Sequence, residues 1–147
     1  MMIKKIIDAN IRQIEDNKVL IYKEHSKYFV VYKDVFVLYG LCRFCFYRVG
    51  NIFEMEISKN YLNYVLKKLR SASISYLVID KLNQYHVLKE ESFFPSFYES
   101  YYLKGRRFYR RKKQVLRITK QISNALIHQD KIKEIYYLLE GECHEII

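Results

Sequence analysis

The chain has 147 residues, half of them hydrophobic, and a net charge of +10. That length is typical of one domain with its own core, and the hydrophobic content excludes a disordered tail. Three cysteines, an odd number, argue against a disulfide framework. No segment approaches the roughly 18 apolar residues of a membrane-spanning helix. We therefore expect a cytoplasmic protein without a membrane span.

The first part of the chain predicts a helix followed by strands. Ile3, Ile7, Ile11 and Ile14 recur at helical spacing, which predicts a short N-terminal helix. Dense β-branched and aromatic residues then predict strands over residues 19–23, 28–33 and 35–39, the last two joined by a tight turn near Lys33 and Asp34. Gly50 and Asn51 predict a hairpin between strands over residues 44–49 and 52–57, although residues 41–46 could instead be helical.

The next elements complete a mixed α and β pattern. Ser58 is a suitable N-cap for a helix through Arg70, and its apolar positions at helical spacing predict its buried face: Leu62, Val65, Leu66 and Leu69. The apolar run over residues 74–80 predicts a central strand, and residues 85–89 predict one more. The fold class is therefore predicted as α+β: a small mixed sheet with packed helices over residues 1–95, followed by a C-terminal basic helical extension over residues 96–147.

The extension begins with the longest predicted helix, which follows Pro95 and Ser96. One side of it is apolar: Phe97, Tyr101, Phe108, Val115, Ile122 and Leu126. The opposite side carries a stripe of cations, and Gly105 marks a candidate kink. Asp130 predicts the start of a last helix through Glu140, with Ile132, Ile135, Tyr136 and Leu139 facing inward. The extension is expected to pack on the first part as one compact unit.

Most of the net charge lies in this helix. Between Ser96 and Lys120 there are nine Lys or Arg residues and a single acid, Glu99. Arginine suits bidentate contacts with phosphate and stacking on bases, so we predict a nucleic-acid-binding site for RNA or single-stranded DNA. Its predicted residues are Lys104, Arg106, Arg107, Tyr109, Arg110, Arg111, Lys113, Arg117 and Lys120. An acidic protein partner remains an alternative, and a membrane surface is disfavoured because the chain has no Trp.

Two other motifs suggest catalysis or metal binding. Cys42 and Cys45 form a C-x-x-C pair, but no second spaced pair completes a zinc site, so we expect buried structural thiols. Glu54, Glu56 and Asp80 would form the carboxylate cluster of a metal-dependent nuclease if they converged, but a solvent-facing strand edge is the simpler interpretation. We predict no enzymatic activity, no cofactor and no bound metal.

The middle of the chain resembles the N-terminal mismatch-recognition domain of MutS. The order of elements matches over about residues 15–90. The segment Tyr28-Phe-Val-Val-Tyr-Lys-Asp-Val-Phe-Val-Leu-Tyr39 resembles the family's apolar strand and its Gly-Asp-Phe-Tyr-Glu-Leu-Phe motif. The segment Asn60-Tyr-Leu-Asn-Tyr-Val-Leu-Lys-Lys-Leu69, with the strand after it, resembles the family's Tyr-Leu helix and following strand.

The resemblance implies a function without mismatch reading. In the family, a Phe wedges into the mismatch and a Glu two residues later contacts the base; Val35 and Val37 stand at those positions. Small stand-alone MutS-like proteins are accessory factors of diversity-generating retroelements. The resemblance therefore implies an accessory protein that binds a reverse transcriptase and its template RNA. A protein-interaction adaptor and a metal nuclease remain the alternatives.

Overall fold

The structure, a computed structural model, describes residues 17–81, 83–84, 86–94, 96–127 and 139. Along these residues the elements are β1 (Val19–Glu24), β2 (Lys27–Val31), α1 (Lys33–Cys42), β3 (Tyr47–Val49), β4 (Ile52–Ser58), α2 (Lys59–Ser71), β5 (Tyr76–Asp80), β6 (His86–Glu91) and α3 (Ser96–Ile127). The chain divides into two compact units, Met1–Arg106 (unit 1) and Arg107–Ile147 (unit 2). Helix α3 begins in unit 1 and ends in unit 2.

The described strands form one mixed sheet in the order β3-β4-β2-β1-β5-β6. Strand β1 pairs in parallel with β5, and the other neighbouring strands are antiparallel. A parallel pair needs a long crossover connection, which α1 and α2 provide between β1 and β5. Strands β1 and β5 are buried along nearly their whole length because both of their faces are covered. The interior position predicted for the β5 segment is therefore confirmed.

Helices α1 and α2 cover the same face of this sheet. The Phe36 ring of α1 packs edge-on against Phe53 of β4, with ring centroids 5.0 Å apart. Arg70 of α2 donates a hydrogen bond to the hydroxyl of Tyr76 in β5. The strand registers place Phe53 and Tyr76 on one face. A second apolar cluster lies on the opposite face: Leu20, Tyr22, Val31, Ile52, Leu77 and Ile79.

Helix α1 replaces a predicted strand. The prediction of a strand over residues 35–39, with a turn at Lys33 and Asp34, is wrong because Lys33–Cys42 is helical. Every residue from Asp34 to Gly40 is buried. A helix buried on all sides shows no amphipathic period, so its β-branched and aromatic residues imitate a strand. The extended backbone of β2 ends at Tyr32, whose φ is 57°.

Helices α1 and α3 cross within unit 1 at a pair of glycines. A Cβ atom on Gly40 would lie 2.6 Å from the Tyr101 carbonyl oxygen, and one on Gly105 would overlap the Phe36 carbonyl oxygen. Glycine inside a helix costs about 1 kcal/mol relative to Ala. Gly105 is explained by this close backbone approach, and the helix continues through it.

A buried carboxyl group joins three elements of unit 1. Asp34, in the first turn of α1, is 2% exposed. One of its oxygens accepts a hydrogen bond from the Leu20 backbone N–H of β1 at 3.0 Å. The other accepts a hydrogen bond from the buried Tyr98 hydroxyl of α3. Because buried polar groups are costly unless paired, these bonds fix α1 and the start of α3 against the sheet.

The α+β fold class is confirmed, with a mixed sheet and a long C-terminal helix. The strands predicted around β1, β2, β3, β4, β5 and β6 are present with boundaries shifted by a few residues, and Ser58 is the N-cap of α2. The buried face predicted for α2 is also confirmed. The predicted N-terminal helix lies outside the described residues. So does the predicted last helix, apart from Leu139, which is helical and exposed rather than inward-facing.

Candidate nucleic-acid interface

The part of α3 that belongs to unit 2 has cations and no acids. Residues 107–127 contain seven Lys or Arg residues and no Asp or Glu. All seven side chains are exposed: Arg107, Arg110, Arg111, Lys112, Lys113, Arg117 and Lys120. We call residues 107–120 the basic segment. Six of the cations lie among the site residues predicted from the sequence, and Lys112 joins them.

The helix is exposed on every side in the middle of the basic segment. All eight side chains from Arg110 to Arg117 are exposed. Eight residues make more than two turns at about 3.6 residues per turn, so they cover the whole circumference of the helix. Both the cations and the apolar Val115 and Leu116 therefore face solvent.

The apolar side predicted for this helix is only partly buried: Tyr101, Phe108 and Ile122 are half-buried. Phe97, Val115 and Leu126 are all exposed. In unit 1 the buried positions of α3 are Tyr98 and Gly105, whereas in unit 2 they are Ile118 and Ala125. The prediction assumed that one stripe is buried along the whole length. The buried positions in the two parts of α3 instead do not form one continuous stripe.

Two predicted site residues belong to unit 1. The Arg106 guanidinium lies over the Phe36 ring, 5.0 Å from its centroid, and the residue is half-buried. Lys104 is exposed, with its ammonium group 5.3 Å from the centroid of the Tyr101 ring. Arg106 is therefore engaged in packing on α1, unlike the exposed arginines of the basic segment.

The aromatic residue predicted to stack on bases is partly covered. Tyr109 is half-buried, and the Lys113 ammonium lies 5.0 Å from the centroid of its ring. Tyr102, two helical turns earlier, packs edge-on against Phe36 and has the Lys33 ammonium 4.7 Å from the centroid of its ring. Tyr102 thus belongs to the packing of unit 1.

The three carboxylates of the nuclease alternative do not converge. Glu56 pairs with Lys27 at 3.0 Å, and Asp80 pairs with Lys23 at 3.5 Å. The registers align Glu56 with Phe29 and Asp80 with Lys23, which places the two carboxylates on opposite faces of the sheet. Among the described residues, no group of three or more His, Cys, Asp or Glu side chains could hold a metal ion.

The C-x-x-C pair lies at the wrong end of a helix for redox chemistry. Cys42 is the last residue of α1, whereas a reactive cysteine of this type uses a helix N-terminus to stabilise its thiolate. Burial raises the pKa of the Cys42 thiol to about 11, against a smaller opposing effect of Lys68. Both thiols are free, and Cys45 is exposed, so the prediction of a buried thiol is wrong for Cys45.

Comparisons with known proteins add no family. No protein-family model matches this sequence, and no curated protein matches it. Within the described part of the chain, no helix combines the length and apolar composition needed to cross a bilayer. The functional interpretation therefore depends on the residues and their placement.

Proposed function

We propose that this chain is a non-catalytic nucleic-acid-binding accessory protein, and that the basic segment holds the phosphate backbone. One observation carries the proposal: seven exposed cations occupy residues 107–127 without a single acid. Each phosphate that a Lys or Arg neutralises releases condensed counterions, which gives affinity without sequence specificity. This surface therefore suits a ligand with regularly spaced negative charges.

Pairing with acids of the same helix does not account for the basic segment. Lys and Arg residues commonly pair with acids three or four positions away, which stabilises the helix. No acid is within four positions of any cation from Arg107 to Lys120. Neighbouring cations along the helix repel one another, and a polyanion would reduce that repulsion.

The MutS resemblance extends the proposal to a protein partner. On this proposal the chain accompanies a reverse transcriptase and binds the enzyme's template RNA. The basic segment supplies the RNA contact. The exposed surface of unit 1 would contact the enzyme. The proposal expects a reverse-transcriptase gene beside this one, and co-purification of that enzyme through a tag on this chain would test the partnership directly.

A protein-interaction adaptor is the second candidate, and one observation favours it. Val115 and Leu116 are 51% and 59% exposed between the cations. Exposed apolar residues beside arginines are typical of a helix that docks on an acidic protein surface with an apolar centre. The adaptor and the nucleic-acid-binding protein differ in the salt dependence of oligonucleotide binding.

The test replaces Arg107, Arg110, Arg111 and Lys113 together by Gln. These side chains are exposed, so the fold should keep a near-native thermal midpoint. Arg106 is left intact because it packs on Phe36. The slope of log K against log salt for a single-stranded RNA should decrease by about three, since each lost phosphate contact removes roughly 0.7 of a unit.

A matched pair of double variants provides the control. Arg110→Gln with Lys113→Gln should weaken binding and reduce the slope by roughly 1.4. Arg48→Gln with Lys89→Gln removes the same residue types from exposed positions of unit 1 and should leave the slope nearly unchanged. Equal slopes for all variants and the original protein would contradict the proposal and favour the adaptor.

A further inference from the structure

The outer side of α2 forms a second basic surface, and this one is rich in aromatic residues. The helix Lys59–Ser71 contains four Lys or Arg residues and no Asp or Glu. Its exposed positions include both tyrosines, two asparagines and three lysines: Lys59, Asn60, Tyr61, Asn63, Tyr64, Lys67 and Lys68. Its buried side is fully explained by the core. The composition of the outer side needs a separate explanation.

Three aromatic rings cluster at this surface. Phe44, in the segment after α1, lies between the two tyrosines of α2. Its ring is nearly parallel to that of Tyr64, with centroids 6.0 Å apart and planes at 27°, and it meets Tyr61 edge-on at 5.8 Å. Tyr61 is 58% exposed and Tyr64 is 44% exposed. The cluster thus packs its rings against one another while the two tyrosines remain open to solvent.

The surroundings of the cluster favour an anionic ligand with flat apolar groups. The Lys68 ammonium lies 5.5 Å from the centroid of the Tyr64 ring. An open cavity of about 420 Å³ adjoins Tyr61 and is lined also by Phe44, Cys45, Glu56, Ile57 and Ser58. Its acidic residue, Glu56, is paired with Lys27 at 3.0 Å, which reduces its repulsion of a phosphate.

We propose that Phe44, Tyr61 and Tyr64 form a stacking platform for unpaired bases of a single-stranded nucleic acid, with Lys59, Lys67 and Lys68 contacting its phosphates. Aromatic rings interleaved with cations are the elements by which proteins bind single strands without sequence readout. The proposal rests on the proposed function, that the chain binds nucleic acid. It adds that the ligand has unpaired bases, which the basic segment alone does not require.

The bases in a duplex are stacked on one another and do not offer their faces to a protein ring. The platform therefore distinguishes single strands from duplexes, whereas a line of cations attracts both. A protein partner is the competing occupant of this surface. It would also use exposed tyrosines, but it would not make the affinity for oligonucleotides depend on them.

The experiment uses the full chain and an unstructured oligothymidylate of about 12 nucleotides, with a duplex of equal length beside it. Tyr61→Ala and Tyr64→Ala should each weaken binding to the single strand by about 5- to 150-fold and change duplex binding little. Tyr61→Phe should bind as the original protein does, because it keeps the ring. Phe94→Ala, at an exposed aromatic outside the cluster, is the matched control.

A spectroscopic readout separates stacking from indirect effects. The chain has no Trp, so Tyr61→Trp introduces a single indole whose fluorescence should be quenched when the oligonucleotide binds. Phe94→Trp should show no comparable quenching.

The two proposals fail in different ways. Unchanged single-strand affinity in Tyr61→Ala and Tyr64→Ala, with the salt dependence of the basic segment intact, would overturn the platform alone and leave this face to a protein partner. Equal losses on single strand and duplex would also overturn it. Absence of any oligonucleotide binding by the original protein would overturn both proposals.

Discussion

Several lysines of unit 1 pair with carboxylates, whereas the cations of the basic segment have no acid nearby in the sequence. Lys18 pairs with Glu90 at 2.6 Å, and Lys33 pairs with Glu99 at 3.0 Å. Residues 107–127 contain no acid at all. The same residue types therefore serve two purposes. Where they are paired in unit 1 they balance the charge of the fold, and where no acid is nearby in the sequence, as in the basic segment, they create a field that a polyanion can neutralise.

The two regions also differ in how many of their side chains are buried. Unit 1 contains the core of the sheet and helices and the buried Asp34, so substitutions at its buried positions should alter the free energy of unfolding. The middle of the basic segment buries nothing from Arg110 to Arg117, so changes there should alter ligand affinity instead. Substitutions at buried positions of unit 1 test this difference in stability.

The largest effect on stability is expected from Gly105→Ala. The added Cβ would overlap the Phe36 carbonyl oxygen, and a backbone clash is not relieved by a change of rotamer. We expect a loss of roughly 3 kcal/mol in the free energy of unfolding, measured by urea denaturation, despite the better helix propensity of Ala. Ser100→Ala, at an exposed position of the same helix, should stay within about 0.5 kcal/mol of the original protein. A Gly105→Ala variant as stable as the original would show that α1 and α3 do not cross at these glycines.

A smaller loss is expected from Tyr98→Phe. This change removes the hydroxyl that donates to Asp34 and leaves a buried carboxyl oxygen without that hydrogen bond. The expected loss is about 1–3 kcal/mol, because the desolvation of the acceptor is no longer offset. Tyr61→Phe makes the same chemical change at an exposed position and should be nearly neutral. If both variants unfold at the same urea concentration, the Asp34 bond contributes nothing to the difference between the two regions.

Elements can be predicted from the sequence when the spacing of their apolar residues reflects which of their sides are buried. Helix α2 has a buried and an exposed side, so the spacing of Leu62, Val65 and Leu69 identifies it. Strand β5 is buried on both faces, and its continuous apolar run indicates that position. The basic segment could be found from charge alone, because its seven cations fall within 14 residues that contain no acid.

Sequence-based prediction is wrong or incomplete where contacts between distant parts of the chain determine the structure. Helix α1 is buried on all sides, so Val35 and Val37 look like strand residues. The role of Gly105 depends on Gly40, which lies far away in the chain. The aromatic cluster was missed for a similar reason, since Phe44 meets Tyr61 and Tyr64 only in the fold. One signal was available: a helix with four cations, two outward tyrosines and no acid.

The smallest expected effect on stability concerns an ion pair at the surface of unit 1, between Arg70 and Glu91. The Arg70 guanidinium donates to Glu91 at 2.6 Å, and the Tyr76 hydroxyl donates to the same oxygen at 2.9 Å. The hydrogen bond from Arg70 is the main cause that lowers the pKa of Glu91 from its ordinary value of 4.5. A carboxyl group whose pKa is lower in the folded state stabilises the fold above its unfolded pKa, and loses that contribution as pH falls through the folded pKa.

Glu91→Gln should therefore lower the thermal midpoint slightly at neutral pH, and the difference from the original protein should vanish as pH falls well below 4.5. Arg70→Gln should lower the midpoint at least as much, because it also removes the hydrogen bond to the Tyr76 hydroxyl, and the double variant should lose less than the sum of the two single losses, because the Arg70–Glu91 pair is counted in both. The effect is small because both side chains are partly exposed to solvent, which screens the pair.

Thermal midpoints of the variants and the original protein, measured from pH 7 to pH 3, test whether the charge of Glu91 stabilises the fold. A difference that persists unchanged at the lowest pH would show that Glu91 acts through packing, and charge balance would then not distinguish unit 1 from the basic segment at this position.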